Sequence, residues 1–129
     1  MAFPEDRLYT RTHEWVLLSA DTATVGITDY AQEQLGDVVF VELPQLGTTL
    51  EQGHSLGNIE SVKAVSEVFA PLAGEVVEVN GELEGRPELI NQEPFAGGWL
   101  VKLKVAPGAG EGLMDAAAYE TFVAEEGAH

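Results

Sequence analysis

The sequence predicts an α+β fold in which β-structure dominates. Three observations carry this: short apolar and β-branched runs separated by Gly and Pro turn signals, a capped helical segment at residues 29–35, and an amphipathic stretch near the C-terminus. An internal echo adds a suggestion of symmetry. Gly36-Asp37-Val38-Val39-Phe40-Val41-Glu42 resembles Gly74-Glu75-Val76-Val77-Glu78-Val79-Asn80, and the midpoint between the copies lies near Gly57. Two similar β units about one central turn suggest a quasi-symmetric flattened barrel.

Arg7 to Leu18 is rich in aromatic and β-branched residues and reads as an early strand or strand pair. Asp21 marks a turn, and Thr22 to Ile27 alternates as a second strand. Asp29 to Leu35 is a short helix, with Asp29 placed to cap it, Gln32 in capping-box position and Gly36 as the stop. Val38 to Leu43 is a strand ended by Pro44; Leu46-Gly47 and Gln52-Gly53 are turn signals. Leu56 to Val62 and Val65 to Ala70 are two short β runs, followed by a turn at Pro71-Leu72-Ala73-Gly74 and a strand from Glu75 to Val79. A Gly- and Glu-rich loop comes next, and Pro87 to Asn91 fits a single helical turn. Trp99, Val101, Leu103 and Val105 alternate with Leu100, Lys102 and Lys104, which predicts a final strand with one mostly solvated face. Pro107 to Gly112 reads as a flexible loop, and Leu113 to Val123 carries an amphipathic pattern that places a C-terminal helix at about 113–125.

The 129 residues suit one domain, 1–129, with its core at about 9–105. The chain has no Cys, which excludes disulfides, cysteine nucleophiles and thiolate zinc sites. A formal net charge of −16, from 22 acids against 6 Lys and Arg, repels nucleic acid and anionic lipid. No apolar run approaches the roughly 20 residues of a membrane span. Met1 to Arg7 carries Glu5 and Asp6 and resembles neither a signal nor a transit peptide, so a cytoplasmic protein is expected. His13, His54 and His129 show no metal-ligand spacing, His13 reads as a strand or turn residue, and the terminal His129 reads as mobile. There is no nucleophile elbow and no P-loop, and Gly108-Ala109-Gly110-Glu111-Gly112 lacks the lysine a phosphate loop needs.

Lys63 stands apart. It is the only Lys or Arg between Arg11 and Arg86, a stretch that holds thirteen Asp and Glu. It sits in Glu60-Ser61-Val62-Lys63-Ala64-Val65-Ser66, between two strand-like runs of similar length. A lysine at a hairpin tip has a flexible stem and an exposed amine, the form an acylating enzyme needs. The residues alone also allow an ordinary solvated lysine, the commoner case. The tip lacks Asn-Gly or Asp-Gly, and a type I turn merely tolerates Val62 and Lys63 at its centre.

Several ordered blocks together resemble one family. They are Tyr9-Thr10 with His13-Glu14-Trp15-Val16, Val25-Gly26-Ile27-Thr28-Asp29-Tyr30-Ala31-Gln32, Leu35 through Pro44, Glu60 through Ser66, Pro71, Gly74-Glu75-Val76, Val79-Asn80, Leu89-Ile90-Asn91 and Gly98-Trp99-Leu100. In these the chain resembles the H proteins of the glycine cleavage system, from about Tyr9 to Lys104. The resemblance implies a lipoyl/biotinyl-type barrel-sandwich fold and lipoic acid joined as an amide to Lys63 at a hairpin tip. Val62 and Ala64 flank the lysine where biotin carriers place Met, and Val-Lys-Ala suits this family better than the Asp-Lys-Ala of 2-oxoacid dehydrogenase lipoyl domains.

The resemblance further implies a non-catalytic, monomeric carrier. Its arm takes an aminomethyl group from glycine at a PLP-dependent glycine decarboxylase, the P protein, and delivers it to a tetrahydrofolate-dependent aminomethyltransferase, the T protein. It is then reoxidised by a flavin-dependent dihydrolipoamide dehydrogenase, the L protein. A lipoate-attaching enzyme must load it, and no nucleic acid or membrane partner is implied. A role as a lipoyl relay, donating lipoyl groups to other complexes, uses the same fold and lysine. The implied arm-cleft candidates are Glu14, Gln34 and Glu67. Gln34 stands where one member of the family has histidine, and Glu67 is one methylene longer than that member's aspartate. Glu14 also fits an ordinary exposed strand acid.

Overall fold

Alternation of buried and exposed side chains sorts the strands into two sheets around a shared apolar interior. The computed structural model describes residues 3–127, so the expectations for Met1, Ala2 and His129 fall outside the described residues. Strands β1 (Leu8–Tyr9), β2 (Glu14–Ser19) and β3 (Thr22–Ile27) run as an antiparallel meander. Ala20 and Asp21 close the β2–β3 hairpin, with Ala20 at φ 55° as such tight turns require. This sheet continues through β9 (Val101–Lys104), β8 (Gly74–Val79) and β5 (Thr49–Leu50) in the order β1-β2-β3-β9-β8-β5. The second sheet holds β4 (Val38–Glu42), β6 (Ser55–Ser61) and β7 (Val65–Phe69) in the order β4-β6-β7. Neither closes on itself, so the expected flattened barrel takes the form of two open sheets. Val16, Val25, Val76 and Leu103 from one, and Val38, Ile59 and Val68 from the other, fill a common core.

The internal echo has a structural counterpart. The pairing of β4 with β6 slips between Val38 and Phe40, and that of β8 with β9 slips between Val76 and Glu78. Each copy therefore carries a β-bulge at the same place. Val38 and Val76 are buried, while the inserted Val39 and Val77 are 51% and 46% exposed.

Helix α1 (Asp29–Leu35) has the expected bounds but a different cap. Thr28, not Asp29, accepts the Ala31 amide through its hydroxyl at 3.2 Å. The Gln32 side chain bonds the Asp29 carboxylate instead of reaching back to the cap, leaving Asp29 as a favourable first-turn acid. Gly36 ends the helix at φ 80°, its amide bonded to Gln32 O. Two further short helices, α2 (Glu82–Gly85) and α3 (Leu89–Gln92), follow β8; α2 lies where the sequence suggested a loop, and the two-residue β5 was not expected. The final strand begins at Val101. Leu100, expected on the solvated face, is buried because it precedes the strand and bonds back to Val25 O.

Helix α4 (Ala116–Gly127) starts three residues later than the predicted Leu113. Met114 instead pairs with Tyr9 through two backbone hydrogen bonds, extending the sheet edge. The Asp115 carboxylate then caps the helix through the Ala118 amide at 2.8 Å. Tyr119 is the anchor: it is fully buried and stacks on Tyr9 at 4.7 Å between ring centres, in a second apolar cluster with Phe3 and Trp15. No helix among the described residues is long and apolar enough to cross a membrane.

Candidate functional site

Lys63 lies at the tip of the β6–β7 hairpin, and its side chain is exposed. Ser61 shapes the tip, because a hydroxyl at a strand end can substitute for backbone partners. It donates to Ala64 O and accepts from Ala64 N, both at 3.1 Å, while its own amide bonds Ala64 O at 2.8 Å. The tip is braced from β4 by Val62 N bonding Asp37 O at 3.0 Å. Asn91 on α3 fixes that brace: it accepts from Val38 N at 2.9 Å and donates to Gly36 O at 2.8 Å. The lysine stem lies across Gly36, where an added Cβ would sit 3.4 Å from Lys63 Cε. Glycine is required here by its left-handed φ, which ends α1, while the lysine stem packs against it at ordinary contact distance. Among the described residues no carboxylate is within ion-pair distance of Lys63 Nζ, despite the acidic sequence around it.

The three arm-cleft candidates come together. Glu14, Gln34 and Glu67 line one cleft of about 410 Å³, whose wall includes Ala64 beside the lysine. The edge strand β7 forms one side and α1 the other. Glu67 and Gln34 are exposed, whereas Glu14 is 2% exposed, which removes the reading of Glu14 as an ordinary surface acid. One Glu14 oxygen accepts from the hydroxyls of Thr10 at 2.6 Å and Thr12 at 2.5 Å; the other accepts from Phe69 N at 3.3 Å. Glu14 and Thr12 also border a second cavity of about 460 Å³ that extends toward Pro71 and Met114.

The sequence reading passed over the cleft's other polar groups. Thr12, His13, Tyr30 and Glu126 also line it. His13 is a turn residue at φ 71°; its ring bonds Tyr119 Oη at 2.8 Å and Glu126 at 3.1 Å. Tyr119 Oη also meets Thr28 Oγ1 at 2.7 Å, so the α1 cap, the Thr10–His13 turn and α4 lock together behind the cleft. The available signal was two hydroxyls, Thr10 and Thr12, within four residues of the strand-entry acid; the Thr10–His13 turn folds them back onto it.

The family model described as glycine cleavage H-protein matches residues 7–126. The chain belongs to that family. It is 54% identical over 126 residues to the glycine cleavage system H protein of Nitratidesulfovibrio vulgaris, covering 98% of each chain. Against the H protein of Thermus thermophilus it is 51% identical over 127 residues, covering 98% of this chain and 99% of the relative. The crystal structure of the Mycobacterium marinum H protein superposes with a TM-score of 0.85 at 39% identity, over 97% of this chain and 99% of that one. The lipoyl-type fold expected of the family is therefore the fold observed, with its sheets open.

In this member of the family, burial pushes the Glu14 carboxyl above the ordinary range, against the pull of its Thr10, Thr12 and Phe69 donors. A raised acid binds more protons folded than unfolded between its two pKa values. That contribution to stability is complete below the unfolded value, near 4.3, and is lost as pH rises through the folded one. Urea unfolding of the parent and of Glu14→Gln should therefore diverge in the variant's favour as pH rises from about 4 to 7. Parallel curves across that range would mean that Glu14 is not desolvated.

Proposed function

We propose that the chain is the lipoyl carrier of glycine cleavage, a non-catalytic and monomeric domain of the cytoplasm, with lipoic acid joined to Lys63. The observation that carries this reading is an exposed amine, unpaired among the described residues, on a braced hairpin beside a polar-walled cleft, in a chain of this family. Attachment requires Lys63 Nζ to lose a proton to a base on the attaching enzyme. The nitrogen lone pair then forms a C–N bond to an activated lipoyl carbon as the bond to its leaving group breaks. The family's cofactor fits this site, since the lysine is exposed with no ion pair among the described residues and a cleft large enough for an acyl chain starts one residue away. Once bound, lipoate supplies a dithiolane able to accept the aminomethyl fragment of glycine and later to be reoxidised.

The chain's own residues then hold and protect. Ser61 and the Asp37 brace keep the tether's root rigid, so that enzymes meet it in one orientation. Glu14, seated by Thr10 and Thr12, offers a fixed acceptor to an amine entering the cleft, with Glu67 and Gln34 at the rim. The partners are the PLP-dependent decarboxylase, the tetrahydrofolate-dependent aminomethyltransferase, the flavin-dependent dehydrogenase and the lipoate-attaching enzyme.

Reconstitution tests the function. The lipoylated chain, added to glycine decarboxylase and glycine, should support exchange of the glycine carboxyl with labelled bicarbonate, and the unmodified chain should not. No exchange by fully lipoylated chain would refute the glycine-cleavage role. The cleft is tested separately by Glu14→Ala, which should still be lipoylated but should release the one-carbon fragment from a loaded arm faster. Equal lifetimes would remove Glu14 from the protective role.

A further inference from the structure

The lysine hairpin is surrounded by apolar side chains that the fold does not bury. Phe40 is 54% exposed, Val62 69% and Val65 65%, with Val39 beside them at 51%. They share one face of the sheet. Phe40 pairs with Glu60, and Glu60 with Val65, so the two apolar side chains flank the exposed Glu60 across β4, β6 and β7. Val62 is hydrogen-bonded to Asp37 at the start of β4. Asp37, Glu42 and Glu67 rim the face, Glu60 lies within it, and Lys63 is the only Lys or Arg from residue 12 to 85. Clustered exposed apolar side chains with a polar rim mark interaction surfaces.

The echo shows that this exposure is not forced by the strand. The position equivalent to Phe40 in the second copy is Glu78, after the same bulge, and Glu78 pairs with Lys102 at 3.6 Å. The same local backbone thus carries a charge on the other sheet and an exposed aromatic ring only on the sheet that bears Lys63.

We infer that the face formed by Val39, Phe40, Val62 and Val65 is the docking surface for the enzyme that acylates Lys63, a partner with apolar contacts for these side chains and basic groups for Glu60 and the acidic rim. This rests on the reading of Lys63 as the attachment site and adds the partner's contact surface. Reach selects the occupant. An extended lysine stem spans about 6 Å, and a catalyst must bring its reacting group to within about 3.5 Å of Nζ. Such an enzyme therefore presses on whatever surrounds the root of the side chain. Enzymes that work on the far end of the arm stand off by the whole acyl chain. The acidic rim supplies the charge half of the match, steering a basic partner toward the hairpin.

The test is Phe40→Glu, which copies the residue the echo already accommodates. Unmodified protein is incubated with the lipoate-attaching enzyme, lipoate and ATP, and acylation is followed by intact mass. The kcat/KM for acylation should fall about tenfold. Because the new carboxylate faces Glu60 where Glu78 faces Lys102, the melting temperature should drop slightly. Phe40→Gln, which removes the ring without adding a charge, should slow acylation with the melting temperature unchanged. Val77→Glu, equally exposed on the other sheet, should be acylated at the parental rate. Once lipoylated, the Phe40→Glu chain should be reduced by dihydrolipoamide dehydrogenase and NADH as fast as the parent. Parental acylation of Phe40→Glu would overturn the proposal, as would equal slowing of acylation and reduction, which would make the face common to every partner. If the parent itself takes no lipoyl group, it is the assignment of Lys63 that fails.

Discussion

Lys63→Arg should abolish the gain of one lipoyl group and bring glycine-dependent carboxyl exchange to background. The substitution keeps the positive charge and a stem of similar length. It removes the one property acylation needs, since a guanidinium is not deprotonated in proteins and offers no free lone pair. The side chain is exposed and makes no ion pair among the described residues, so its replacement should change stability by no more than about 0.5 kcal/mol. The chain has two other lysines, Lys102 and Lys104, both on β9 within the larger sheet and neither in a turn of its own. Intact mass spectrometry of parent and variant from the same cells decides the matter. A variant that still gains the lipoyl mass would place the attachment on β9 and remove the functional role of the hairpin.

What the sequence disclosed follows from the range of the interactions involved. The strands were legible because burial on a sheet imposes a period of two, as Val101 and Leu103 against Lys102 and Lys104 illustrate. The α1 bounds were legible because Gly36 must take a left-handed conformation. The cap was misplaced by one residue because Thr28 and Asp29 both suit an N-cap, and the choice falls to Thr28 only because its hydroxyl also meets Tyr119, 91 residues away. The start of α4 slipped for a related reason. Leu113 and Met114 fit the helical stripe, but Tyr9 claims the Met114 backbone. Lys63 was legible as a solitary cation between two β runs. Glu14, Gln34 and Glu67 were reached only through the resemblance, and Thr12, Tyr30 and Glu126 not at all, since these residues come from separate elements and their proximity leaves no periodic trace.

The second large effect concerns the strand that carries the hairpin. Gly57→Ala should lower stability by about 3 kcal/mol, a drop of roughly 10 °C in melting temperature. A Cβ at Gly57 would lie 2.1 Å from the Glu42 carbonyl oxygen and 3.2 Å from its carbon. Both are backbone atoms and cannot swing aside as a side-chain end would, so β4 and β6 must part. The adjacent pair Asn58–Glu42 would open first. β4 has no other strand partner in its sheet, and Asp37, just before it, braces Val62, so a loosened β4 weakens the support of the Lys63 root. Gly47→Ala separates this from the ordinary cost of replacing glycine. Gly47 has φ 85° but nothing within 4 Å of its missing Cβ, so it should cost only the left-handed penalty of about 1–2 kcal/mol. Gly57 has no such conformational demand, and its whole effect is steric. Equal melting shifts for the two variants would mean that the β4–β6 contact is looser than 2.1 Å implies, and that the lysine hairpin takes its rigidity from Asn91 and Ser61 alone.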